Sequence, residues 1–182
     1  MPIPKGWNAV TAIAMCDVIA WEGTVWRIHK RKYATTDPAG SRKISGRYHR
    51  GTDQVSESRA WPTLYFSTQP EICLAELFRH ITAELFPFLN NYRLSKIELS
   101  LEAVTDYRQP DRLKIDPDVL VADESYEVTQ SVGSAAYDQR SEGLLVPSAT
   151  GLGDNLVLFP LNLRPNSRLN LISSRDPRLR PV

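Results

Sequence analysis

Between Arg93 and Leu101 the apolar positions recur every second residue. Ile97, Leu99 and Leu101 fall on one face and Lys96, Glu98 and Ser100 on the other, which predicts a half-exposed strand. Two shorter runs, Thr24-Val25-Trp26-Arg27-Ile28 and Thr63-Leu64-Tyr65-Phe66, are rich in β-branched and aromatic residues and also predict strands. Near the end of the chain Leu144-Leu145-Val146 and Asn155 to Phe159 predict two more. Between these lies Pro147-Ser148-Ala149-Thr150 followed by Gly151 and Gly153. A turn accounts for the glycines, but not for a serine placed directly against a core strand.

Elsewhere the period lengthens to that of a helix. A helix is predicted from about Gln69 to Ala83, with Thr68 and Glu71 spaced as a capping box and Pro70 in the first turn. Its apolar face is Leu74, Leu77, Phe78 and Ile81, which leaves Glu76 on the opposite side. Val128, Val132, Ala135 and Ala136 predict a second helix from Glu127 to Arg140, closed by Gly143. His29 to Pro62 is polar and lacks a helical period, and a connection that long is usually functional or disordered. Asp116 to Asp123 stays open between strand and loop, and residues 170–182 read as a flexible tail. Strands and helices interspersed without strict alternation indicate an α+β domain of mixed sheets. With 182 residues, 42% of them hydrophobic, the expectation is a single domain.

Charge narrows the partners. Lys+Arg 22 against Asp+Glu 21 is not the balance of a nucleic-acid binder, so any bound anion must be held by a few placed arginines. Cys16 and Cys73 have no CxxC or Cys/His spacing, which suggests a reduced, cytoplasmic setting and no metal. Ala9 to Cys16 is short and is followed at once by Asp17, which argues against a signal peptide or lipoprotein site. No apolar run reaches the ~18 to 20 residues that cross a membrane.

Several residues are candidates for chemistry, each with a plain structural explanation beside it. Arg27 inside a strand is costly if buried and unpaired, and unremarkable on an exposed face. Ser45-Gly46-Arg47-Tyr48-His49-Arg50-Gly51 is either a loop that grips phosphate through arginine or a solvated basic turn. His29-Lys30-Arg31-Lys32 reads as a solvated charge run. Glu76 and His80 fit a surface i,i+4 pair, and Tyr65 fits a core position. Ser148 either lines a cleft or satisfies its own turn. No P-loop, G-x-S-x-G, H-E-x-x-H or Rossmann glycine pattern is present.

Taken in order, WRIH, SGRYHRG, TLYFS with the helix bearing AELFRH, and LLVPSATGLGDNLVLFP resemble the RES domain family from about Val25 to Pro160. The resemblance implies an ADP-ribosyltransferase-like core of mixed, mainly antiparallel sheets with flanking helices. It also implies a toxin that consumes NAD as substrate, by hydrolysis, phosphorolysis or ADP-ribosyl transfer, and that is paired with a helix-turn-helix antitoxin of the Xre type. Carried over residue by residue, Arg27, Glu76 and Ser148 are the expected catalytic residues, and Arg27, Arg47, Tyr48, Tyr65 and Ser148 the expected NAD contacts. This chain has Tyr48-His49 where many members of the family carry Trp-Asn. Two other readings stay open: a mono-ADP-ribosyltransferase with a specific protein target, and a non-catalytic module that binds polyanions.

Overall fold

Two long strands carry the fold, and everything else is arranged around their pairing. A computed structural model describes residues 5–80, 89–109 and 115–177. In chain order, the first half contains α1 (Ala9–Ala14), β1 (Asp17–Lys30), α2 (Ala39–Lys43), β2 (Leu64–Ser67) and α3 (Pro70–His80). The second contains β3 (Tyr92–Asp106), α4 (Pro117–Val121), α5 (Glu127–Asp138), β4 (Gly143–Pro147), β5 (Asp154–Leu158) and β6 (Arg168–Arg175).

Strands β1 and β3 pair antiparallel along nearly their whole length, from Asp17 opposite Asp106 to Lys30 opposite Tyr92. The sheet order is β1-β2-β5-β4-β3-β6, and because β1 also pairs with β3 the first five strands form a closed ring. Only β3 and β4 run parallel. The α+β class expected from the hydrophobic pattern and the mainly antiparallel pairing implied by the family resemblance are both present.

Each strand of the ring sends residues to a common interior, as period-two alternation requires. Val25, Leu64, Phe66, Ile97, Leu99, Leu101, Leu145 and Leu156 form one buried cluster. The opposite face of β4 and β5 presents Leu144, Val146 and Val157 to a second cluster built with Ile13 of α1 and Val132 and Ala136 of α5. At about 25 cal/mol per Å² of apolar surface removed from water, these two layers supply the main drive for folding.

The structure corrects several expectations. Ile72 and Cys73 are the most deeply buried residues of α3, and Leu74, Leu77 and Phe78 are only half-buried. Glu76 lies one turn beyond Ile72, at ~40° around the helix from it, so it shares the inward face rather than opposing it. Ile81 and the predicted extension to Ala83 lie outside the described residues, as does the side chain of His80. Helix α5 ends without help from Gly143. Arg140 takes the left-handed conformation at φ 62, and the Ser141 N–H donates to the Ala136 carbonyl, which closes a Schellman turn. Gly143 instead opens β4, where a Cβ would stand 2.9 Å from the Val157 carbonyl oxygen. The segment open between strand and loop forms the short helix α4, capped by the Asp116 carboxylate. Residues 168–175, most of them expected in a loose tail, form β6 against β3, from Leu94 opposite Arg175 to Ser100 opposite Arg168. Helix α1 covers α5 at the stretch weighed as a targeting segment, and no helix among the described residues is long and apolar enough to cross a membrane.

Candidate active site

A cavity of about 460 Å³ opens between α3, the ends of β2, β4 and β5, and the loop around Arg47. That is within the range of small-molecule sites. Glu76, Arg47, Tyr48, Tyr65, Asn155 and Ala149 are among the residues that line it.

Glu76 reaches the cavity because Ile72 and Cys73 anchor the same side of α3; the Cys73 thiol donates to the Trp26 carbonyl at 3.1 Å. Burial pushes that thiol up to about 11, so it stays protonated. Glu76 Oε1 accepts from Ser148 Oγ at 2.7 Å and from Asn155 Nδ2 at 3.1 Å. Both bonds fall on one oxygen, which fixes the carboxylate plane. Asn155 is itself oriented by Ser67, whose hydroxyl donates to Asn155 Oδ1 at 2.8 Å.

This geometry accounts for the serine at the end of β4. Ser148 is 1% exposed, and its backbone closes the β4–β5 turn by donating to the Gly153 carbonyl at 2.7 Å. Its single hydroxyl hydrogen goes to Glu76, and its oxygen accepts from the Thr150 N–H at 3.1 Å. Turn chemistry and carboxylate positioning are therefore served by one side chain.

Arg47 is held on all sides. Its Nη1 donates to the carbonyls of Leu120 and Ala122 at 3.2 and 2.5 Å, at the C-terminal end of α4. Nη2 meets Asp123 Oδ1 at 2.6 Å, and the guanidinium lies 4.6 Å from the centre of the Tyr126 ring. Most of these partners come from the 116–123 segment, whose sequence marks no functional residue.

Tyr65 projects from β2 into a relay. Its hydroxyl accepts from the Tyr48 N–H at 3.0 Å and lies 2.9 Å from His49 Nδ1. His49 Nε2 faces the carbonyls of Ser41 and Ile44 at 2.7 and 3.0 Å, so it carries the ring hydrogen and Nδ1 accepts from Tyr65. Burial lowers the His49 pKa and keeps this neutral form. Both nearby phenols are shifted upward by burial and remain protonated. The Tyr48 hydroxyl is buried with no hydrogen-bond partner among the described residues.

Arg27 is not brought into this group. Its guanidinium donates to the Thr35 and Asp37 carbonyls, the latter at 3.3 Å, and it is not among the residues lining the cavity. Burial lowers its pKa to about 10, partly offset by Asp37, so it stays a cation. The sequence did not mark Asn155 and His49, which the structure brings into this network. Asn155 carried a signal, being a polar residue directly before the apolar run of β5.

The profile of the RES domain matches residues 24–179. The chain belongs to the RES domain family. Over 166 residues it is 26% identical to the NAD(+) phosphorylase MbcT of Mycobacterium tuberculosis (strain H37Rv) and of Mycobacterium bovis, covering 87% of this chain and 84% of those proteins. Its fold matches a chain in the crystal structure of the M. tuberculosis MbcT-MbcA toxin-antitoxin complex with a TM-score of 0.77 and 25% identity, covering 92% of this chain and 91% of that one. In this RES domain no cluster of His, Cys, Asp and Glu suited to a metal occurs among the described residues.

Proposed function

We propose that this RES domain is an NAD-consuming toxin that breaks the bond between nicotinamide and ribose and is held in check by a cognate antitoxin. The observation that carries the proposal is the Glu76 carboxylate, fixed by Ser148 and Asn155 on the wall of a cavity that also presents Arg47, Tyr48 and Tyr65. The similarity to MbcT supplies the substrate class.

Cleavage leaves the electron pair of the C1′–N bond on the nicotinamide ring, which departs neutral, and the ribose passes through an oxocarbenium-like state. A carboxylate ~4 Å from that charge at an effective dielectric near 20 interacts by about 4 kcal/mol, roughly a thousandfold in rate if fully realised in the transition state. Glu76 is assigned this role. Ser148 and Asn155 position it by fixing Oε1. Arg47 binds a phosphate of the dinucleotide, the Tyr48 hydroxyl donates to the substrate, and the Tyr65 ring packs against it with its hydroxyl committed to the relay. Arg27 acts from outside the cavity by bracing the 35–37 turn. An ionised oxygen of phosphate forms the new bond at C1′ directly, or a water oxygen does so and releases its proton to solvent; the relative's activity favours phosphate.

The partner is assigned as an antitoxin of the Xre helix-turn-helix type covering this cleft, and the setting as the cytoplasm. Nicotinamide release from NAD by the purified protein, with and without phosphate and with and without cell lysate, tests the function. Release that requires phosphate identifies phosphorolysis, and label transferred to a lysate protein identifies a transferase. No release under any condition overturns the proposal. Glu76→Gln keeps the shape and removes the charge, so it is expected to lose about a hundredfold or more in kcat with the fold intact.

A further inference from the structure

Beside Arg47, which lines the cavity, one carboxylate outside that lining bridges two guanidinium groups. Asp123 Oδ1 meets Arg47 Nη2 at 2.6 Å, and Asp123 Oδ2 meets Arg79 Nη2 at 2.5 Å. Arg79 also donates to the carbonyl of Ala149, the neighbour of Ser148. Four parts of the chain meet here: the loop bearing Arg47, α3, the β4–β5 turn and the connection between α4 and α5.

The two sides of this bridge are unequal. Arg47 is largely buried, at 15% side-chain exposure, and is fixed by α4 carbonyls and the Tyr126 ring. Asp123 is 47% exposed and stands on a connection of five residues, 122–126. Arg47 is therefore anchored, Arg79 is tethered by the Ala149 carbonyl at 31% side-chain exposure, and the more exposed carboxylate is the part that moves at least cost. Two guanidinium forks around a single carboxylate leave one positive charge in excess. A pyrophosphate or a free phosphate, with about two negative charges and at least three free oxygens in all, matches them better.

We propose that Arg79 and Arg47 form a seat for a phosphoryl oxyanion, and that Asp123 and the ligand hold this seat in turn. Arg79 is thereby a binding residue, and Asp123 sets the affinity by competition. The ligand class is a phosphate monoester, diester or free phosphate, the chemistry common to NAD's pyrophosphate and to a phosphate acceptor. This inference rests on the NAD-consuming reading above, which supplies both sources.

The test is calorimetric titration of the folded full chain with ADP-ribose and, separately, with inorganic phosphate, at one fixed low salt concentration. Asp123→Asn keeps the shape and removes the competing charge, so it is expected to tighten at least one of the two ligands by about tenfold. Arg79→Gln is expected to weaken the same ligand by about tenfold, and Arg79→Lys to restore part of the loss. The ligand that responds identifies the source. If Asp123→Asn and Arg79→Gln both leave both affinities within twofold, with wild-type circular dichroism and melting, the seat is overturned. Should Asp123→Asn melt early, the Arg79 pair alone decides. Nicotinamide release by the wild type is followed in parallel. A wild type that consumes NAD while the affinities stay flat sinks the seat alone; one that consumes no NAD sinks the functional reading, and the titrations still decide whether the seat exists.

Discussion

Tyr48 concentrates the conflict between stability and function in one side chain. Its ring fills a core position at 2% exposure while its hydroxyl is buried without a partner among the described residues. An unpaired buried hydroxyl costs free energy, so removing it is neutral or favourable to the fold. Tyr48→Phe is expected to keep or raise the melting temperature while raising KM for NAD severalfold, which thermal melts and initial rates on the same preparation will show. A fall in stability of more than about 1 kcal/mol would mean that the hydroxyl is satisfied in the fold and not reserved for substrate. The neighbouring network explains how far such roles are legible from the sequence. Glu76 and Ser148 were marked by family order, yet the bond between them joins residues 72 positions apart and depends on which side of α3 turns inward. Arg27 was marked by the same order, and the structure commits it to the 35–37 turn, because no local pattern says where a strand arginine points. Asn155 does not stand out in the sequence, since a polar residue at a strand end usually belongs to the turn.

At the scale of elements, α5 supports the site through the absence of a side chain. A Cβ at Gly133 would stand 1.8 Å from the Tyr48 carbonyl oxygen, so only glycine lets the helix backbone approach the Arg47–Tyr48 loop this closely. Gly133→Ala gains about 1 kcal/mol of helix propensity and loses more by displacing the loop. The net effect is expected to be a loss of about 2 kcal/mol in denaturant unfolding and a raised KM, since Arg47 and Tyr48 move together. The other end of the helix predicts the opposite sign. Arg140 at φ 62 sits in a conformation that glycine adopts freely, and Arg140→Gly should raise stability by about 0.5–1 kcal/mol with no change in turnover. The helix was legible from Val128, Val132, Ala135 and Ala136, but its stop was not. The sequence offers Gly143 as the obvious terminator, and that glycine is needed in β4, where it passes close to β5. The same limit applied to α3, where Leu74, Leu77 and Phe78 make as good a stripe on paper as Ile72 and Cys73. Only packing against β1 and β2 decides which stripe goes deeper.

Across the whole molecule, buried ionisable groups tie distant segments together and make stability depend on pH. Glu142 is 0% exposed and takes four bonds: the N–H groups of Glu102 and Ala103 at 2.6 and 2.7 Å on one oxygen, and the Arg164 N–H at 2.7 Å with the Ser167 hydroxyl on the other. Burial alone would raise its pKa, but these donors outweigh burial and hold the carboxyl below its usual 4.5. His29 bonds to Ser95 and Thr35, and His49 holds the Tyr65 relay; burial is the main cause that lowers both below their usual 6.5. For each of these groups the unfolded chain binds the proton more readily than the folded one, so stability rises with pH across the interval between the two values. The histidine contribution is complete above pH 6.5 and begins to fall below it; the Glu142 contribution is complete above pH 4.5 and is lost as pH drops through the depressed folded value. Denaturant unfolding from pH 8 to pH 3 should therefore show a first decline starting near 6.5 and a steeper one starting near 4.5. Glu142→Gln places an amide hydrogen against N–H donors whichever way it turns. It is expected to cost about 2–4 kcal/mol at neutral pH and to remove much of the second decline while leaving the first. A variant that loses this stability yet keeps the full acid step would assign that step to other carboxylates, Asp106 and Asp123 first, both of which are also held below their usual 3.8.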